Sequence, residues 1–127
     1  MGSRSYKDLI VWQKAILLVK EIYALTEHFP SSENFGLTSQ MQRSVVSIAS
    51  NIAEGSKRST RKDFRKYVHI AYGSGAELET QIEIAKQLPF ATSLDFHVAE
   101  SLLNEVMRML NGLAASLSRP IPPKTTN

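Results

Sequence analysis

Apolar residues recur every three or four positions in four separate segments of this chain, and that spacing permits little besides helices packed on one another. The first segment, Leu9 to His28, carries two interleaved seams: Leu9, Trp12, Ile16, Val19, Tyr23 beside Val11, Ala15, Leu18, Ile22, Leu25, Phe29. One seam serves one contact, so two adjacent seams predict a helix with several neighbours. Pro30 stops it, and Ser31 to Gly36 reads as a polar loop. The second segment, Leu37 to Lys57, has the seam Met41, Val45, Ile48, Ile52. The third, Arg61 to Leu88, has Phe64, Val68, Ala71, Gly75, Leu78, Ile82 and Ala85. Pro89 and Phe90 end it, and Thr92 or Ser93 is expected to cap the fourth. Phe96, Ala99, Leu103, Val106, Leu110, Leu113 and Leu117 carry that last helix to Ser118. With no repeat and no strand-like alternation, the expectation is all-α: an antiparallel up-down-up-down four-helix bundle. A single domain covers residues 6–118, and the Pro-rich tail 119–127 reads as disordered.

A chain of 127 residues suits one domain with a core of its own. It has no cysteine, which removes disulfides, thiolate catalysis and Cys-ligated zinc and fits a reducing compartment. The longest purely apolar run, Ala15 to Val19, is far short of the ~20 residues a membrane span needs. The start lacks a signal-peptide core, and Tyr6 stands where a myristoylation signal has Ser or Thr. The expectation is a cytoplasmic protein with no membrane contact.

Two features of the second and third segments ask for a function. Gln40, Ser44, Ser47, Asn51 and Glu54 follow one another at 4-3-4-3 spacing and so share one helix face. Counting outward from a turn centred near Ser59 places Asn51 opposite Tyr67, Ser47 opposite Ala71, and Ser44 opposite Ser74. The third segment has its own mixed seam there, including Ser74, Glu77 and Gln81. Facing polar seams suggest a hydrogen-bonded layer, inside the bundle or between subunits. The alternative is a solvated face, although short Ser and Asn are unusual choices for one. Gly73-Ser74-Gly75 falls mid-helix and reads either as close approach of a neighbour or as a break.

The other feature is charge. Lys57, Arg58, Arg61, Lys62, Arg65 and Lys66 face only Asp63, so residues 57–66 carry +5 in a chain of net +3, and everything else sums to −2. Four of these cations occupy the positive end of the third helix, while Glu77, Glu79 and Glu83 lie toward its negative end. Each such placement costs about 0.3–1 kcal/mol. A cluster kept despite that cost suits a phosphate backbone, an acidic protein surface, or simply solubility. Tyr67 and His69 are the aromatic groups near enough to stack, which argues against reading of base sequence.

Other chemistries fail on spacing. A di-iron bundle needs Glu-x-x-His on two helices, and the chain has none. His97 and Glu100 make one isolated His-x-x-Glu pair, and no His or Lys stands at helical spacing to activate a serine of the polar row. There is no Gly-rich phosphate loop and no paired-carboxylate signature. No catalytic residue, metal or cofactor is expected.

Asp8-Leu9-Ile10-Val11-Trp12-Gln13-Lys14-Ala15, then Phe29-Pro30, Glu33 and Phe35-Gly36-Leu37-Thr38-Ser39-Gln40, resemble the start of a known family. Arg43-Ser44, Ser47-Ile48, Asn51-Ile52-Ala53-Glu54-Gly55, Ala71-Tyr72-Gly73-Ser74 and Glu77-Leu78-Glu79-Thr80-Gln81 continue the likeness. The family is that of proteins encoded in 23S ribosomal RNA intervening sequences, and the resemblance covers about Tyr6 to Leu117. It implies a left-handed up-down bundle that assembles into a ring-like homopentamer. A related accessory protein of diversity-generating retroelements is similar in shape and engages a reverse transcriptase with nucleic acid. Pro89 departs from the glycine usual near the end of the third helix, and Gly75 from a larger residue; neither threatens the fold.

Together these features give a first reading of a non-enzymatic homo-oligomer, in the family's terms a pentameric ring. It grips RNA or DNA backbone through Lys57, Arg58, Arg61, Lys62, Arg65 and Lys66. Gln40, Ser44, Ser47, Asn51, Glu54, Ser74 and Glu77 form its polar seam or subunit interface. The second reading is a structural adaptor that scaffolds a protein partner such as a polymerase or reverse transcriptase.

Overall fold

The computed structural model describes residues 5–120. Four helices carry the fold: α1 (Ile10–Thr26), α2 (Leu37–Ser56), α3 (Arg61–Lys86) and α4 (His97–Ser118). Single 3₁₀ turns at Tyr6–Asp8, Ser31–Glu33 and Pro89–Ala91 lead into α1, α2 and α4. No helix is long and apolar enough to cross a membrane among the described residues. Of the tail expected from residue 119, only Arg119 and Pro120 are described; residues 121–127 lie outside.

Each helix packs on its two neighbours in a closed circuit, α1 on α2, α2 on α3, α3 on α4 and α4 on α1, while the diagonal pairs stay apart. Contacts between neighbours run in opposite directions, as in an antiparallel up-down bundle. Along α3 and α4, Arg61 meets Ser116 and Lys86 meets Glu100. Along α1 and α2, the Gln42 amide donates to Thr26 Oγ1 at 3.1 Å near one end, and Lys57 lies over the Tyr6 ring at the other. The inner seams fill the centre: Leu18, Ile22, Met41, Ile48, Ile52, Leu78, Ile82 and Leu110 are fully buried.

The helix ends show what the sequence signals did. Pro30 follows α1, whose last residue, Thr26, turns its hydroxyl back onto the Ile22 carbonyl at 2.9 Å. The helix therefore ends two residues before the expected His28. At the start of α2, Glu33 Oε1 accepts the Leu37 N–H at 3.0 Å. Thr60 caps α3, accepting the Asp63 N–H at 3.1 Å. α4 corrects the expectation of a cap at Thr92 or Ser93. Pro89 opens a 3₁₀ turn, Phe90 packs edge-on against Phe29, and Ala91 is buried. The chain thus enters α4 only at His97, whose N–H is taken by Asp95 Oδ1 at 2.9 Å.

The mid-helix glycines divide. α3 runs unbroken through residues 73–75. A Cβ at Gly75 would collide with the Met107 thioether of α4, so this glycine is where α3 and α4 come close. At Gly73 a Cβ would meet nothing, so close approach explains only one of the two.

Candidate nucleic-acid interface and polar seam

The connection between α2 and α3 gathers the cations at one end of the bundle because α2 finishes there, α3 begins there, and only four residues join them. All six are exposed, but they are not equivalent. Arg58 donates to Glu54 Oε2 at 2.7 Å and to the Tyr67 hydroxyl at 2.6 Å, with its guanidinium 4.7 Å from the Tyr67 ring centroid. Arg61 reaches across the bundle to the Ser116 carbonyl at 2.7 Å, and more distantly the Arg119 carbonyl at 3.4 Å. It therefore serves the negative end of α4, whose last carbonyls lack helical partners. Lys57 sits 5.5 Å above the Tyr6 ring.

Lys62, Arg65 and Lys66 make no ion pair and no side-chain hydrogen bond among the described residues. They share the outer side of the first two turns of α3 with exposed His69. The six-residue cluster thus resolves into three cations with partners inside the chain and three without. Tyr67 is half-buried with Arg58 over its face, so of the two aromatic groups considered for stacking only His69 is open.

The polar row is partly interior. Ser44 and Ser74 are buried at 8% and 6% exposure, which rules out a wholly solvated face. The Ser47 and Ser74 hydroxyls hydrogen-bond at 2.8 Å, and the Asn51 amide donates to the Ser47 carbonyl at 2.8 Å and hydroxyl at 3.0 Å. Ser47 therefore faces Ser74, not Ala71, and the expected pairing of Ser44 with Ser74 fails. Gly55 causes the offset. A Cβ there would lie 2.6 Å from the Tyr67 Cβ and 3.0 Å from Phe64 Cδ1, so α3 seats its first turns against that bare backbone. The register slides by nearly one helical turn.

Beyond Ser47 the seam opens into a hollow of about 250 Å³ lined by Gln40, Arg43, Ser44, Glu77 and Gln81. Gln81 Oε1 is buried there without a hydrogen-bond partner. The residues assigned to one seam thus split into a closed part (Ser47, Asn51, Ser74), an open part (Gln40, Ser44, Glu77), and Glu54, which belongs with Arg58 at the basic end. Arg43 and Gln81 join the open part although neither was singled out as a site residue. Gln81 did stand in the facing mixed seam, which was the available signal.

A second surface escaped site assignment. Tyr6, Trp12, Ile16 and Val19 face Val46, Ala49, Ser50 and Ala53 across an open groove of about 290 Å³ between α1 and α2. Its trace in the sequence was the first of the two α1 seams, of which Tyr23 is 45% exposed. No group of three or more His, Cys, Asp or Glu residues that could hold a metal occurs among the described residues.

The fold and this basic end define an all-helical bundle protein with a polar seam between its two central helices. The sequence profile of the 23S rRNA-intervening sequence proteins matches residues 7–112, and the chain belongs to that family. It is similar in fold to a crystal structure, at 1.70 Å, of a protein of unknown function from the S23 ribosomal protein family of Bacteroides thetaiotaomicron. The TM-score is 0.75 at 21% sequence identity, over 84% of this chain and 96% of that one. No curated relative matches the chain.

Proposed function

We propose that this protein is a non-enzymatic, homo-oligomeric bundle, in the family's terms a pentameric ring, that holds RNA or DNA by its backbone at the start of α3. One observation carries this reading: Lys62, Arg65 and Lys66 lie exposed on one face, with no partner among the described residues, at a helix end where cations are unfavourable. Arg58, Arg61 and Lys57 stand behind them and add field rather than free donors. Copies of the patch around an oligomer would multiply weak contacts through effective concentration. Little base reading is expected, since of Tyr67 and His69 only His69 is open beside the patch.

The experiment is a binding titration on single-stranded RNA or DNA against salt. At about 0.7 per neutralised phosphate, three engaged cations give a log–log slope near −2, and five give a slope near −3.5. A Lys62→Glu, Arg65→Glu, Lys66→Glu variant should lose the slope and most of the affinity. Binding that ignores salt and survives this variant overturns the reading. The apolar groove between α1 and α2 favours a second reading, an adaptor docking a protein such as a polymerase or reverse transcriptase. Capture that persists at high salt after nuclease treatment, and fails with Trp12→Ala, would support it.

A further inference from the structure

The basic end and the apolar groove share one short segment. Tyr6–Asp8 forms a single 3₁₀ turn before α1, and none of its residues is buried. The turn is held within itself, the Asp8 N–H on the Ser5 carbonyl and the Lys7 N–H on the Ser5 hydroxyl. Its side-chain ties to the bundle are few. The Gln13 amide donates to the Lys7 carbonyl at 2.8 Å, and Tyr6 meets Trp12 edge-on with ring centroids 5.2 Å apart. Lys57 lies over the Tyr6 ring at 5.5 Å. The turn joins α1 at Leu9, an extended residue whose side chain makes no cap hydrogen bond. A segment with no buried residue and so few ties belongs to the part of a fold that opens most easily. Yet Tyr6 is part of the wall of the α1–α2 groove, beside Trp12.

Lys57 is the cation of the six that touches this turn, and its hold is the weakest among the partnered three. Arg58 has a carboxylate and Arg61 a carbonyl, whereas Lys57 has only a ring face. A phosphate offers an ammonium a full opposite charge, which a ring quadrupole does not match. We infer that Tyr6–Asp8 is a latch on the groove, held by Lys57, and that a polyanion at the α2–α3 connection releases it. This rests on the polyanion reading of the basic end proposed above. When a phosphate takes Lys57, Tyr6 loses the cation over its ring and the turn swings about Leu9, uncovering Trp12. The coupling is reciprocal: whatever displaces the turn frees Lys57 and tightens polyanion binding by the same factor. A groove partner and a polyanion therefore assist each other.

Trp12 is the only tryptophan in the chain, so its quenching by acrylamide reports the latch in the intact protein. Poly(U) and inorganic polyphosphate, which has no base to stack, should both raise that quenching at low salt. Tyr6→Ala should start at the raised level and respond to neither. It should also bind poly(U) about two- to five-fold more tightly, with a log–log salt slope steeper by about 0.7, one further phosphate. Tyr6→Phe keeps a ring under Lys57 and should behave as the parent. Lys57→Met removes the link and should abolish the quenching response, although Lys62, Arg65 and Lys66 still bind polyphosphate. Polyphosphate binding that leaves Trp12 quenching unchanged, or lowers it, overturns the inference while the basic end keeps its proposed function. A Tyr6→Ala protein with parental affinity and slope overturns it as well. A rise in quenching with polyphosphate, but no binding of poly(U), would instead remove the nucleic-acid reading and leave the latch standing.

Discussion

α2 shows the bundle two different sides. Toward α3 its second half presents Ser47, Asn51 and Gly55, and that stretch is closed, with Ser47 and Ser74 sharing a hydrogen bond. Toward α1 it presents Val46, Ala49 and Ala53, and that side opens into a groove in which Val46 is 40% exposed. Polar groups are covered and apolar ones are left in water, the reverse of a simple partition by polarity. Size explains the inversion. Short hydroxyls and a bare glycine let α3 come close enough to exclude water. Trp12, Ile16 and Val19 are too bulky for α1 to do the same. How near two helices can come, more than how greasy they are, decided which face was sealed.

The strongest way to break that account is to add atoms on each side of α2. Gly55→Ala forces a Cβ against Tyr67, Phe64 and the Phe64 carbonyl, which is backbone and cannot swing aside. It should destabilise the fold by about 1–3 kcal/mol in denaturant unfolding. Ala53→Leu, two residues earlier, adds more atoms but aims them into the open groove, and should stay within about 0.5 kcal/mol. Equal effects at the two positions would show that closeness does not distinguish the two faces.

A finer test sits inside the seam. Ser47→Ala leaves the buried Ser74 hydroxyl and the Asn51 amide each short of a partner and should cost about 1–3 kcal/mol. Ser47→Ala with Ser74→Ala removes both hydroxyls and should recover much of that loss, so the double-mutant cycle should show a clear coupling. Additive losses would mean that water, and not Ser74, satisfies Ser47.

The same contrast shows what could be read from the sequence. Seam spacing placed all four helices, and the buried residues of α2, α3 and α4 are largely those of the predicted seams. The polar row was visible as a row because its 4-3-4-3 spacing is a local property of one helix. Its partner across the seam was not visible, because register depends on how α3 seats against Gly55, a contact between helices. For the same reason the six cations looked alike. Arg58 differs from Arg65 only because Glu54 and Tyr67 stand beside it in space, and Arg61 because α4 ends next to it. The start of α4 was misjudged because Thr92 and Ser93 are good caps locally, while Phe90 and Ala91 are held by the core.

The smallest expected effect lies on the third contact, between α3 and α4. Lys86 Nζ donates to Glu100 Oε2 at 2.9 Å, and this bond, with the charges of Glu100 and Glu83, lifts the ammonium above its ordinary value of 10.5. A cation whose folded pKa exceeds its unfolded one stabilises the fold fully below the unfolded value. That contribution fades as the pH rises through the folded value. The pair is exposed and screened, so the effect is slight. Lys86→Met should therefore melt slightly below the parent at neutral pH and low salt. The gap should close in strongly alkaline buffer, where the parent's ammonium is lost. A gap that persisted there would assign the difference to the packing of the lysine stem along α4 rather than to its charge.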